Sequence, residues 1–448
     1  MSIRLLSLSG LLNEGRAPNH PVAYRRGQMV TFAQFRGAVV ACSRMISRRG
    51  YLRCGLLSDD SLIFAIGVFA ILHAGAKLVL PPNGQPGTIE TLSSSWDVLL
   101  SDHDHGPGSV SIAELETSDA ALSRLEGSTS LVDFFTSGSS SQPKLVHRTI
   151  AELEAELPVV ETFWGPRVSE GCVQATVSHQ HIYGLCFKLL WPLASGRPFA
   201  AGMHELWETL LPEIEPGALL VSSPAHLSRL GGLAPTSARP GLILTAGAPL
   251  THAAAVQVRD MLHRYPDEIY GSTETGIIAT RTQESAGTPW RAFPGCEIRH
   301  AEDGRLVLKS PWCCGSDWLT MEDLVVIEGD GRFRLLGRSD RVAKIEGKRI
   351  SLPAVEAALT ALPQIADAAV VALTGARDQL GAVVVLTAQG RNEMSDLGRF
   401  RFGRFLRRCL APQLEPMAQP RRWRFVTAIP TGPMGKRNQA ALSALFEA

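Results

Sequence analysis

The sequence predicts an α/β protein with a large N-terminal domain of α/β subdomains, residues 1–337, and a small mobile α+β C-terminal domain, residues 338–448. Three observations lead there. The 448 residues exceed the usual single-domain size and leave ample material for a buried core. Short runs of valine, leucine and isoleucine alternate with helical stretches through most of the region before residue 330, as buried strands do in an α/β sheet. Near residue 337 the texture changes to a charged connection, followed by a separate small pattern of strands and helices.

Each element has its own signal. The leucine-rich start, Leu5 to Leu12, is interrupted by Ser7, Ser9 and Gly10, and Asn13-Glu14 follow without a small-residue cleavage site. It makes a poor secretory signal, so a cytoplasmic protein is expected. The apolar run Leu62 to Leu72 is shorter than the roughly 20 residues that span a bilayer. With Asp59, Asp60 and Ser61 as start signals and Gly75 as a stop, it reads as a buried helix. Leu78 to Leu80, Val98 to Leu100, Ala218 to Val221 and Leu242 to Leu244 read as buried strands. Gly304 to Leu308 and Arg332 to Leu336 read as short antiparallel strands turned by Asp303-Gly304 and Asp330-Gly331. Beyond the connection Gly337 to Arg341, the strand-like Ala368 to Leu373 and Ala382 to Leu386 alternate with helical Pro353 to Ala361 and Leu397 to Leu410. A unit of this size is too small to hold a deep site alone but suits a lid.

Composition narrows the function classes. With 44 basic and 43 acidic residues, the chain gives no general reason to bind nucleic acid or a membrane surface. Eight cysteines are scattered without C-x-x-C spacing, which suggests reduced thiols rather than a zinc site or a disulfide framework.

Two motifs point to phosphate chemistry. Thr136-Ser137-Gly138-Ser139-Ser140-Ser141-Gln142-Pro143-Lys144 follows the mostly apolar Leu131 to Phe135. Small hydroxyl residues and glycine let backbone NH groups approach phosphate, and a lysine adds a point charge. By itself such a segment is more often a flexible serine-rich loop. The spacing of a Walker loop is absent. In Tyr270-Gly271-Ser272-Thr273-Glu274-Thr275-Gly276 an aromatic ring beside glycine can stack on a base, while hydroxyls and Glu274 can hold a phosphate-bound magnesium ion. Singly, it is also a plausible turn.

In combination the motifs are far more specific. The chain resembles the superfamily of adenylate-forming enzymes, which includes acyl- and aryl-CoA synthetases, luciferases and peptide-synthetase adenylation domains. Seven segments stand in the family's order: Thr136 to Lys144, His181-Ile182-Tyr183-Gly184-Leu185, Gly247-Ala248-Pro249-Leu250, Tyr270 to Gly276, Trp318 to Asp323, Gly337 to Arg349, and Pro430 to Lys436. The resemblance implies ATP and magnesium, and activation of a carboxylic acid to an acyl-AMP that passes to a thiol. By that resemblance Thr136, Ser137, Gly138, Ser139 and Ser140 with Lys144 wrap the β- and γ-phosphates. Gly247, Ala248 and Pro249 with Tyr270 sandwich the adenine, Gly271 and Ser272 belong to the same ATP-binding segment, and Asp323 with Arg338 holds the ribose. Glu274, with Thr273, sits at the magnesium and α-phosphate. His181 lies against the acyl pocket, whereas His179 is expected to be a satisfied core histidine. Lys436 supplies the cation for adenylation, Asp340 is the hinge, and Lys344, Gly347 and Lys348 line the thioester-forming arrangement. Phe163 to Trp164, His181 to Leu185, Ser222 to His226, Ala246 to Gly247 and Ser272 to Gly276 are expected to assemble the acyl pocket.

The chain also departs from the pattern. Ser141 and Leu145 replace glycines of the phosphate loop, and Met321-Glu322 replace the threonine and glycine that usually precede the aspartate at 323. The chain is shorter than most members, most like ligases that load hydroxybenzoates onto acyl carrier proteins in aryl polyene and xanthomonadin-type pathways. Between Arg391 and Arg424 nine arginines face three acidic residues, a surface suited to the acidic neighbourhood of a phosphopantetheine arm or to the phosphates of CoA; a solvated helix face is the competing reading. Tyr183 and Trp191 would favour an aryl acid if they line the pocket, and would otherwise be core. Transfer to a carrier protein is the expected reaction; the alternatives are a CoA ligase and a nucleotide-binding protein without catalysis.

Overall fold

The computed structural model describes the chain apart from residues 1–3, 107, 113–116, 137–143, 235, 314–316, 340, 346–347, 374–377, 432–436 and 448, and apart from the side chains at 342, 344, 348, 349 and 439. It divides into two compact units: Met1–Cys296 with Ser310–Ser316, and Glu297–Lys309 with Asp317–Ala448. The antiparallel strands that precede residue 338 are thus grouped with the C-terminal unit.

Two six-stranded sheets organise the first unit. In one, Ser109–Ser111, Val98–Ser101, Arg53–Leu57, Lys77–Leu80, Leu131–Thr136 and Lys144–Thr149 lie side by side, all parallel except the last pair. In the other, Gln174–Ala175, Leu219–Ser222, Leu242–Ala246 and Asp267–Ser272 run parallel, and Gly276–Thr282 and Arg291–Ala292 add antiparallel edges. The four strands expected in this region are all present, three extended by one or two residues and the one expected at Ala218 to Val221 shifted by one, to Leu219–Ser222. Leu219–Ser222 and Leu242–Ala246 are buried on both faces, which is why they read as continuous apolar runs rather than alternating ones. The apolar run near residue 62 is the helix Ser61–His73, buried over Ser61 to Leu72. The Asp60 carboxylate caps it by accepting from the amides of Leu62 and Ile63.

In the second unit, Glu297–His300, Arg305–Lys309, Leu319–Ile327 and Phe333–Arg338 form an antiparallel meander. A three-stranded sheet of Ile365–Leu373, Gln379–Leu386 and Arg422–Val426 packs with the helices Leu352–Thr360 and Arg399–Leu410 around Val355, Leu359, Val370, Val384, Phe402 and Leu406. The helix expected from Leu397 starts two residues later. Gly398, at φ 75°, breaks the path between Ala388–Leu397 and Arg399–Leu410.

Candidate active site

The phosphate-loop hairpin is built by the edge of the first sheet. Thr136 stands opposite Lys144, and its hydroxyl donates to the Lys144 carbonyl at 3.2 Å. Ser137, Gly138, Ser139 and Ser140, which would wrap phosphate, lie outside the described residues. Lys144 opens the return strand with an exposed side chain, and its ammonium meets Glu274 Oε1 at 2.8 Å. Two residues 130 positions apart, Lys144 expected at the β- and γ-phosphates and Glu274 at the magnesium and α-phosphate, are thereby adjacent.

The second sheet gathers the remaining segments. After Ala175, Ser222, Ala246 and Ser272 the chain leaves four neighbouring parallel strands at their carboxyl ends. Each of these ends leads into a predicted segment: the approach to His181, Ser222 to His226, Gly247-Ala248-Pro249, and Ser272 to Gly276. Ligands of open α/β sheets bind in the crevice outside these carboxyl ends. Ala246 pairs with Ile269, so Gly247 leaves the sheet at the level of Tyr270. The half-buried Tyr270 ring stands 5.7 Å from Trp290, which in turn lies 4.4 Å beneath the Arg281 guanidinium. Trp290 had no motif to announce it.

Glu274 sits in the turn between Asp267–Ser272 and Gly276–Thr282. The Ser272 and Thr275 hydroxyls lie 3.0 Å apart, and each also accepts from the other's backbone NH. Burial pushes the Glu274 carboxyl up, but the Lys144 ammonium, the turn's backbone and the Ser272 hydroxyl outweigh it, and its pKa lies below the ordinary carboxylate value. Among the described residues no group of three or more His, Cys, Asp or Glu side chains is placed to hold a metal. An ionised, partly exposed carboxylate of this kind fits magnesium, which takes one or two carboxylates and fills its octahedron with phosphate oxygens and water. Glu274 is the residue that would hold it.

His181 immediately precedes the short helix Ile182–Gly184, which continues through a π-helical stretch, Leu185–Leu190, into Trp191–Ser195. Its two predecessors tie it down. His179 is buried; its Nε2 donates to the Ser58 carbonyl at 2.7 Å, which leaves Nδ1 to accept from the Ser61 hydroxyl at 2.9 Å. Burial, with the Lys188 charge, lowers its pKa to about 3, so the ring is neutral. That is the satisfied core histidine the sequence reading expected. The Gln180 amide donates to the carbonyls of Leu56 and Pro81, anchoring the His181 segment on the first sheet. Sequence reasoning had no signal for Gln180, because its partners are backbone carbonyls about a hundred residues away.

Of the aromatic candidates, Trp164 and Trp191 are core. Trp164 is fully buried with its indole NH on Asp267, and the indole NH of Trp191 donates to Glu161 at 2.6 Å, where Arg197 also binds. Phe163 packs against Trp164 and Phe293. Tyr183, buried, packs its ring against Phe187 at 5.4 Å.

In the second unit, Asp323 and Arg338 are register partners on adjacent strands, with their charged groups 3.9 Å apart. Met321 and Glu322 lie in the strand Leu319–Ile327, at a register shift against Arg305–Lys309, where Glu322 accepts from the Ser339 hydroxyl and amide and lies 3.4 Å from Arg305. Neither residue takes a positive φ, so the irregularity that replaces the glycine needs no left-handed backbone. Asp340, Gly347 and Lys436 lie outside the described residues, as do the side chains of Lys344 and Lys348. Flanking them, Arg341 and Arg437 converge on the Glu356 carboxylate, at 2.7 and 3.0 Å. No sequence motif announced Glu356, which ties Arg341 and Arg437 to one helix.

Seven of the nine arginines fall into two groups, with Arg407 half-buried and Arg421 exposed outside them. Arg391, Arg422 and Arg424 donate to backbone carbonyls of Leu386, Phe446 and Leu445. Arg399, Arg401, Arg404 and Arg408 are exposed on one helix, beside Phe400, 79% exposed, while Phe402 and Leu406 pack inward.

Residues 91–313 match the AMP-binding enzyme family and residues 354–436 match the AMP-binding enzyme C-terminal domain. The chain is similar to the 4-coumarate–CoA ligase of Cereibacter sphaeroides, 30% identical over 311 residues that cover 68% of this chain and 69% of that one. A shorter stretch of 188 residues is 28% identical to the L-proline–[L-prolyl-carrier protein] ligase of Pseudomonas fluorescens, covering 35% of this chain and 37% of that one. In fold it is similar to the o-succinylbenzoate CoA synthetase of Bacillus subtilis, solved with an acyl-adenylate intermediate; the TM-score is 0.76 at 18% identity, over 97% of this chain and 96% of that one.

Proposed function

Because this chain belongs to the AMP-binding enzyme family, an acid–thiol ligase working through an acyl-adenylate, we propose that it activates an aryl carboxylic acid with ATP and transfers the acyl group to coenzyme A. The observation that carries the reading is the Lys144–Glu274 pair beside the carboxyl ends of the second sheet, a cation and an ionised carboxylate held at 2.8 Å. The finer choices of acid and acceptor follow the coumarate and CoA in the name of the Cereibacter sphaeroides ligase.

In the first half-reaction the acid's carboxylate oxygen attacks the α-phosphorus in line, the bond to the bridging oxygen breaks and pyrophosphate leaves. Lys144 exchanges Glu274 for a phosphate oxygen, keeping its charge neutralised, and Glu274 is freed toward the metal. Magnesium, when bound, offsets negative charge on the phosphates. Tyr270 and the Gly247 to Pro249 turn hold the base, Asp323 and Arg338 the ribose, and His181 borders the acyl group. Lys436 is assigned to the oxygens around phosphorus, where a fixed cation stabilises the transition state. In the second half-reaction the thiolate attacks the acyl carbonyl and AMP leaves with the bonding pair. We assign Asp340 as the pivot between the two steps, with Lys344 and Gly347 serving the second.

A second reading, transfer of a hydroxybenzoate to an acyl carrier protein, is favoured by one observation: the four exposed arginines with Phe400 on the helix Arg399–Leu410. The test is acid-dependent ATP–pyrophosphate exchange with hydroxybenzoates, cinnamates, fatty acids and amino acids, followed by acyl transfer to CoA and to a phosphopantetheinylated carrier protein. Exchange with an aryl acid and thioester on CoA are expected. Thioester on the carrier alone would install the second reading, and no exchange with any acid would sink both.

A further inference from the structure

Arg148 does not belong to any motif, yet its guanidinium is among the most deeply buried charges of the first unit, 1% exposed. It lies four residues beyond Lys144 on the same strand, on the inward-facing positions shared with Val146. Nε donates to Glu152 at 3.1 Å, Nη1 to the Thr273 carbonyl at 2.8 Å and Nη2 to the Trp312 carbonyl at 3.0 Å. A single planar fork thus clamps three segments. Glu152, its charge partner, is also the capping-box residue that closes the helix after this strand. The clamp extends on the far side: the Trp312 indole NH donates to the Ile277 carbonyl at 2.8 Å, and the Cys313 thiol meets the Glu274 carbonyl at 3.1 Å. The backbone on both sides of the Glu274 α-carbon is therefore held, at one carbonyl by Arg148 and at the next by Cys313. The side chain of Glu274 is left to be aimed, and it points to the Lys144 that starts the same strand as Arg148.

We infer that Arg148 is a positioning residue, which with Cys313 sets the Glu274 turn so that its carboxylate faces the metal-bearing phosphates. Burying a guanidinium is costly unless every donor is used and the charge is paired. Here the donors go to one carboxylate and to carbonyls of the metal-facing turn and of the segment that braces it. A lysine at this position delivers one point charge and cannot span both carbonyls. Partners one shell out from a metal-facing residue tune its orientation, and their loss typically weakens metal affinity by about 10–100-fold.

The inference rests on the reading of Glu274 as the magnesium-facing carboxylate, and the experiment separates the two. ATP binding to the full chain is titrated calorimetrically with magnesium and with EDTA for wild type, Glu274→Gln, Arg148→Lys and Cys313→Ala. Glu274→Gln should abolish most of the gain that magnesium adds to ATP affinity; if it does not, the reading of Glu274 falls. Arg148→Lys should cut that gain by about tenfold while changing ATP affinity in EDTA less than about twofold. Cys313→Ala, a milder change that is not part of the buried charge pair, should cut it by a smaller factor and serves as the test if Arg148→Lys does not fold. With Glu274→Gln behaving as expected, a magnesium gain equal to wild type in the folded Arg148 or Cys313 variant overturns the proposal. An equal loss with and without magnesium overturns it too, since that is what general loosening of the fold would give.

Discussion

At Gly276 the chain has no room for any other residue. Its φ of 64° lies in the left-handed region, and an added Cβ would stand 2.7 Å from Glu156 Oε2 and from Trp312 Cδ1. Glu156 is itself a buried carboxylate; burial raises its pKa, against the opposing pull of Arg148, the Ile277 amide and the Cys186 thiol. It cannot move aside without unmaking the bonds from Ile277 and Cys186. Gly276→Ala is therefore expected to cost at least about 2 kcal/mol in urea unfolding, from backbone strain and overpacking together. Adenylation should fall more than stability, because the displaced turn carries Glu274. Full exchange activity in a destabilised variant would separate the turn from the chemistry. The glycine was legible from the sequence as part of a motif, but the carboxylate and indole that demand it were not, since they come from positions 156 and 312.

Among the elements, the helix Arg399–Leu410 shows how much a pattern can say. Its spacing of phenylalanine and leucine against arginine predicts one buried face, and Phe402, Leu406 and Leu410 are indeed fully buried. The sequence count treated all nine arginines alike, whereas Arg391, Arg422 and Arg424 hold carbonyls inside the unit and only part of the cluster forms an outward charged face. Reversing Arg404 and Arg408 to glutamate should leave the fold and ATP–pyrophosphate exchange intact. Loading of an acidic carrier protein should slow about tenfold at low ionic strength and much less at high salt. Unchanged loading at low salt would mean that these arginines do not dock a carrier protein.

For the whole molecule, acid sensitivity follows from buried bases. His179 is held at about 3 and His73 at about 4, in both cases chiefly by burial, against an ordinary 6.5. Both folded-state values lie below the unfolded one, so their contribution to stability is complete above pH 6.5 and is lost as pH falls toward 3 to 4. Each histidine adds at most about 1.4 kcal/mol per pH unit in that window. Lys188, buried with its ammonium on the Gly202 carbonyl, is lowered to about 7, again by burial, so stability should also rise with pH from 7 toward 10.5. The urea midpoint is expected to fall between about pH 6.5 and 4.5, less steeply in His179→Gln. A flat profile across that window would mean the two rings are protonated in the fold.

What the sequence determined by itself was local or periodic. Period, apolar runs and capping residues placed the helix Ser61–His73 and the buried strands, since these signals act within a few residues. The ordered motifs named Lys144, Glu274, Asp323 and Arg338, because the chemistry of a nucleotide requires those residue types. Tertiary structure alone decided which partners hold the site's segments: Arg148 on the Thr273 carbonyl, Gln180 on Leu56 and Pro81, and Glu356 between Arg341 and Arg437. Two of these three anchors bind backbone carbonyls, which every residue carries and which leave no mark in composition or spacing; the third joins charges whose pairing depends on the fold.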